Sequence, residues 1–197
     1  MPCLRSHQSL CSQMISFSFL HSSKGQRGVT LIELMTVIAV LAVLASIAAP
    51  SFNMLIKRWR VMQTAELFQT TLYLARSEAM KRGGNVVVEK LACPGTTKSD
   101  WNCGWEICHS TSKKCDDADA TRIQLHEVTT NLDITASGTN TTRVIFNRFG
   151  RPDGTRGFGI SFMPKDQGIS HPATRGVCLA SGGRIQVIPQ EEVPCDI

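Results

Sequence analysis

Residues 29 to 49, VTLIELMTVIAVLAVLASIAA, form an apolar run interrupted by a single charge, Glu33. Twenty-one helical residues reach roughly 31 Å, about the thickness of a bilayer's hydrocarbon core. No stretch after residue 60 is comparably apolar, so the chain reads as one membrane segment followed by one soluble domain. The formal charge of +5 has a local origin. Residues 1 to 28 carry Arg5, Lys24 and Arg27 and no acid, and without them the balance is near neutral. Bases ahead of the span hold that end in the cytoplasm and point the C-terminal domain outward. Of eight cysteines, Cys3 and Cys11 precede the span and six follow it. An even number beyond a membrane segment fits disulfides in an oxidising compartment.

The order of signals at the N-terminus is unusual. A secretory signal places its cleavage site after the apolar region. Here a basic and glycine-containing stretch, Lys24-Gly25-Gln26-Arg27-Gly28, comes before it, and Met1 and Met14 are alternative starts. Glu33 is costly in an apolar span unless it is paired or close to the interface. One turn from the helix start it also favours the helix N-terminus electrostatically.

The run Gly28-Val29-Thr30-Leu31-Ile32-Glu33-Leu34 resembles the prepilin peptidase site of type IV pilins and secretion pseudopilins. The resemblance implies cleavage after Gly28, methylation of the Val29 amine, and pairing of Glu33 with the N-terminal amine of a neighbouring subunit. The family more often has Phe where this chain has Val29. The partners implied are prepilin peptidase, other pilin or pseudopilin subunits and the inner membrane. The implied location is a single-pass inner-membrane precursor with its C-terminal domain periplasmic, and afterwards a filament.

Pro50 follows the apolar run and removes a helical hydrogen-bond donor. Beyond it Leu55, Trp59, Met62, Ala65, Phe68, Leu72, Ala75 and Ala79 recur every three or four residues, an amphipathic helix ending at Gly83-Gly84. Lys57, Arg58 and Arg60, just past the span, read as interface anchors. Eight short β-type runs then alternate with turns: 85–91, 104–108, 122–128, 132–135, 143–146, 158–162, 177–180 and 184–188. The expected class is α+β, a long N-terminal helix packed on a domain of short antiparallel strands. The expected division is a leader at 1–28, an assembly helix at 29–49, an amphipathic helix at 50–82 and a periplasmic domain at 83–197.

Leu74-Ala75-Arg76-Ser77-Glu78-Ala79-Met80-Lys81-Arg82 is similar to the helix end of GspH/FimT-type minor pilins and pseudopilins. So are Val144-Ile145-Phe146 with Gly150, and Gly183-Arg184-Ile185-Gln186-Val187. Three roles follow from that likeness: a minor pilin that helps initiate a type IV pilus, an H-type pseudopilin of type II secretion, and a DNA-binding pilin. For the third, Arg143, Arg148, Arg151 and Arg184 are the candidate phosphate contacts, in a stretch of seven bases against Asp153 and Asp166. The DNA-binding form carries a GRxR-like stretch, and here Gln186 stands where the second arginine would be. A solvated set of charges explains the same residues.

Nothing in the chain spells an enzyme: HExxH, GxSxG and the phosphate-binding GxxxxGK[ST] are all missing. No cofactor is expected. A zinc site from Cys93, Cys103, Cys108 and Cys115, with His109, is the chemical alternative, but structural zinc sites favour close CxxC pairs. Six cysteines allow 15 full pairings; Cys178 and Cys195 bracket the last expected strand and the tail and are expected to staple it, and proximity in sequence favours Cys93 with Cys103 and Cys108 with Cys115 for the remainder.

Overall fold

The computed structural model describes residues 28–95, 100–128, 131–138, 141–154 and 157–196, with the side chains of 48–51 excepted. Residues 1–27 of the expected leader, Arg156 and the Pro50 side chain thus lie outside the described residues. Contacts divide the chain into two units, Met1–Leu44 and Ala45–Ile197.

Helix α1 spans Leu31–Arg82. In the first unit its side chains are exposed throughout, Leu31, Ile38 and Leu41 among them. Among the described residues no single helix is long and apolar enough to cross a membrane; Leu31–Ile47 and Phe52–Arg82 pass that test only as an interrupted pair, by length and composition.

In the second unit α1 acquires a buried stripe: Val61, Ala65, Phe68, Leu72, Ala75 and Ala79 are fully covered. Steps of four and three keep these residues on one face. The expected stripe therefore holds from Ala65 onward but not before. Leu55, Trp59 and Met62 are 61%, 60% and 41% exposed, and Val61 rather than Met62 turns inward. A periodic pattern records only that a face is apolar, and at Leu55 and Trp59 no described residue covers that face.

The helix ends as its glycines require. Gly83 has φ +82°, the left-handed region, and the Gly84 amide donates to the Ala79 carbonyl at 2.8 Å. That six-to-one bond closes a Schellman motif. Lys81 and Arg82 in the last turn complement the helix dipole.

Eight strands follow among the described residues: β1 Val86–Lys90, β2 Gly104–His109, β3 Thr121–Glu127, β4 Leu132–Gly138, β5 Arg143–Phe146, β6 Phe158–Pro164, β7 Arg175–Leu179 and β8 Ile185–Ile188. They form two four-stranded sheets, β3-β2-β1-β5 and β4-β6-β7-β8, antiparallel throughout. Each expected run became a strand, with Arg143–Phe146 unchanged and the ends of the others moved by at most three residues. The largest change is β4, which continues to Gly138 because β6 pairs with it along its whole length, Leu132 opposite Pro164 to Gly138 opposite Phe158.

Phe68 is the hub of the core. Its ring meets Trp105 edge-on at 4.9 Å and Trp101 edge-on at 5.7 Å, and lies 5.7 Å from Phe162 and 6.3 Å from Phe158. One helical side chain thereby joins β2, the segment before it, and β6. Edge-to-face pairs add about 0.5–1.5 kcal/mol each beyond burial. The buried polar groups here are satisfied: Trp105 Nε1 donates to Thr71 Oγ1 at 3.1 Å, and that hydroxyl donates to the Leu67 carbonyl at 2.9 Å.

The structure pairs Cys93 with Cys103, Cys108 with Cys115, and Cys178 with Cys195, at Cα separations of 5.9, 5.6 and 5.7 Å. These are the pairs expected from the sequence. They occupy all four sulfurs of the zinc alternative, and a disulfide sulfur is no thiolate ligand. Among the described residues no group of three or more His, Cys, Asp or Glu is placed to hold a metal.

Candidate functional site

Three places hold the residues singled out from sequence: the start of α1, the end of α1, and the turns that carry arginines.

At the start, Gly28, Val29 and Thr30 are outside the helix and exposed. Thr30 is the N-cap: its hydroxyl accepts from the Glu33 amide at 3.3 Å, and its carbonyl accepts from the Leu34 amide at 3.1 Å. Thr30 and Glu33 have the spacing of a capping box. The Thr30–Glu33 spacing is a signal that the sequence itself carries. It gives Glu33 a defined place, third in the first turn, and marks residues 28–30 as the last non-helical backbone before the apolar helix. A Cβ added at Gly28 would meet nothing within 4 Å. The fold therefore imposes no steric demand for glycine at this position.

At the other end, Arg76 binds the helix to both sheets. Its Nη1 donates to the Gly183 carbonyl at 3.1 Å, in the turn before β8. Gly150, in the turn after β5, has φ +69°, and a Cβ there would lie 2.8 Å from Arg76 Cγ and 3.2 Å from Met80 Sδ. The guanidinium stem is laid across a glycine that has no side chain to obstruct it. The three sequence segments similar to GspH/FimT-type chains thus converge on one seam. Two residues on, Glu78 accepts from Arg82 at 2.8 Å and Lys81 at 3.0 Å. Those hydrogen bonds, Arg82 first, hold its carboxyl below the usual range.

The arginines do not act alike. Arg143 is engaged by Glu89 at 3.0 Å and donates to the Lys113 carbonyl at 2.9 Å, so it is a strut between β5 and β1 rather than a free cation. Arg148 lies over the ring of Phe149 at 4.8 Å, and that ring is 64% exposed. Arg151 and Arg184 are exposed. Gly183 and the Gly150 carbonyl approach closely enough that a Cβ on Gly183 would be 3.5 Å from that oxygen, which brings the turns carrying Arg148, Arg151 and Arg184 side by side.

Residues 64–183 match the family described as Type II transport protein GspH, and residues 23–49 match the prokaryotic N-terminal methylation motif. The chain belongs to the GspH family. The matched region runs from the buried half of α1 through the Arg76 seam to Gly183, and the methylation motif covers the start of α1. Members of this family are structural subunits rather than enzymes. No curated protein sequence matches this GspH-family chain. Among solved structures it is similar to the type IV minor pilin FimU of Pseudomonas aeruginosa in two crystal forms. One gives a TM-score of 0.53 at 19% identity, covering 68% of this chain and 97% of FimU. The other gives 0.56 at 18% identity, covering 71% and 96%. A weaker likeness, TM-score 0.48 at 15% identity, covers 66% of this chain and 97% of the minor pseudopilin EpsH from the type 2 secretion system of Vibrio cholerae. At these identities the FimU likeness establishes the fold: the long helix on antiparallel sheets is the pilin fold.

Proposed function

We propose that this GspH-family chain is a minor pilin, cut between Gly28 and Val29, methylated on the Val29 amine and incorporated through α1 into a type IV pilus near its tip. The observation that carries this reading is the start of α1. An exposed Gly28–Val29 linkage directly precedes a Thr30-capped helix whose side chains from Leu31 to Ile47 find no cover among the described residues. Such a surface needs lipid before assembly and other apolar helices after it. Glu33, third in the first turn, pairs in this reading with the amine that cleavage of a neighbouring subunit exposes. Each charge would be costly alone in an apolar setting, so pairing favours the assembled state. Residues 1–28 serve as leader, and the domain from residue 83 onward faces the periplasm, where its three disulfides are stable.

The test is the intact mass of the protein from a pilated host: the mature chain should begin at Val29 and carry one methyl group. A bulky or charged replacement of Gly28 should leave precursor, with the helix intact because nothing packs on that glycine. A mature chain starting elsewhere overturns the proposal.

A second reading, an H-type pseudopilin of type II secretion, is favoured by the description of the matching family. Deletion separates the two, since loss of surface pili supports the first and loss of protein secretion the second. DNA binding is the third. The neighbouring turns that carry Arg148, Arg151 and Arg184 support it, and a shift assay over a salt series tests it.

A further inference from the structure

Upstream of the buried stripe, α1 carries the cations read from the sequence as interface anchors, and the fold adds to them. From Phe52 to Met62 the helix contains Lys57, Arg58 and Arg60 and no acid. Around these cations Phe52, Leu55 and Trp59 are 58%, 61% and 60% exposed. The β domain contributes one more cation to the same place. Lys165 sits in the turn after β6, held there by its amide's bond to the Asn131 carbonyl at 3.2 Å. Lys57, Arg60 and Lys165 surround an opening of about 140 Å³ whose other walls are Asn131, Leu132 and Pro164. Leu132 and Pro164 are buried and make an apolar floor. Among the described residues none of the three cations takes part in an ion pair. Among the described residues the nearby acids Asp133, Asp166 and Glu127 form no ion pair with these cations. Asp133 accepts the Asp166 amide at 2.7 Å, and Glu127 lines the adjoining groove with Arg60 without pairing to it.

We infer that Lys57, Arg60 and Lys165 form a headgroup site for an anionic phospholipid of the membrane leaflet facing the domain, occupied while the subunit awaits assembly. The inference rests on the membrane-held state proposed above and adds a binding site on the β domain. Three unpaired cations from two elements converge where a phosphate would be shared between them, and charge complementarity is the first argument. Continuity is the second. The exposed apolar turns from Phe52 to Ile56 lead directly into the site, and Trp59 beside it has the amphipathic ring found at bilayer interfaces. A soluble polyanion would use the cations and leave that apolar surface wet. Lys165 makes the site a feature of the fold: it is more than one hundred residues from Arg60 in sequence and reaches the opening only because β6 ends there.

The protein has three tryptophans, and Trp101 and Trp105 are fully buried, so quenching by lipid reports on Trp59. The full chain is reconstituted into phosphatidylcholine vesicles holding equal mole fractions of either brominated phosphatidylglycerol or brominated phosphatidylcholine. Brominated phosphatidylglycerol should quench Trp59 more strongly, and added salt should reduce the difference. Lys165→Ala should lower the relative affinity for phosphatidylglycerol about fivefold, the effect of one cation at an anionic surface. Lys57→Gln with Arg60→Gln should abolish the preference. Equal quenching by the two lipids in the wild type overturns the headgroup site and leaves the membrane-held state standing. A preference undiminished by Lys165→Ala overturns the three-cation site and reduces it to charge on the helix. Quenching by neither lipid overturns the membrane-held state as well.

Discussion

Replacing Gly150 by Ala tests the seam that ties α1 to both sheets. Gly150 has φ +69°, where a side chain costs about 1–2 kcal/mol. The new methyl would lie 2.8 Å from Arg76 Cγ and 3.1 Å from its Nε, so the arginine must move and release the Gly183 carbonyl. A hydrogen bond from a charged donor is worth about 1.5–3 kcal/mol, and Arg76 is only partly buried, so the lower end applies. Gly150→Ala should therefore cost about 3 kcal/mol. Arg76→Ala alone should cost about 1.5 kcal/mol, the hydrogen bond without the backbone strain. The double substitution loses that bond once, so it should be less harmful than the sum of the singles by about 1 kcal/mol or more. The assay is urea unfolding of the full chain in detergent, followed by the emission of Trp101 and Trp105, both buried in the folded domain. With a slope of about 1–3 kcal/mol per molar urea, Gly150→Ala should move the midpoint by about 1–3 M. A Gly150→Ala protein within about 0.5 kcal/mol of wild type would refute the close-approach argument. Strict additivity of the two substitutions would refute the link to Arg76.

Three further outcomes follow from the same geometry. Replacing Cys178 and Cys195 together by Ser should cost about 3 kcal/mol, from a bridge spanning 17 residues, and should open the tail after β8 to protease in non-reducing conditions. Asp119 accepts from the Thr111 hydroxyl and amide and from Ser112 and Ser110, contacts that hold its carboxyl down at about 2 against an ordinary 3.8. Because the folded value is the lower one, its contribution is present above about pH 4 and is lost as pH falls toward 2. Amide exchange at Thr111 should rise across that window, and Asp119→Asn should remove the pH dependence. Glu33→Ala should leave membrane insertion intact, since it removes a charge from an apolar segment, and should exclude the subunit from sheared filaments; equal incorporation with wild type refutes the pairing role.

Much of this protein is legible in its sequence because the relevant physics is local. The apolar run with one glutamate, the glycine pair that ends α1, the alternation of short strands and turns, and cysteine pairs close in sequence each depend on neighbours along the chain. Thr30 as N-cap to Glu33 belongs to the same class. Tertiary structure decided what depends on what lies opposite. Periodicity from Leu55 to Ala79 is continuous, yet only the part from Val61 onward is buried, because the β domain covers the helix from there. Arg143 is one of several arginines in a basic stretch until β5 pairs with β1 and brings Glu89 to 3.0 Å from it. Gly150 and Gly183 look like ordinary turn residues until Arg76 is laid across them. Lys165 has no relation to Lys57 and Arg60 until β6 carries it to their side. Spacing along a chain specifies which face a residue occupies, and only folding specifies what that face meets.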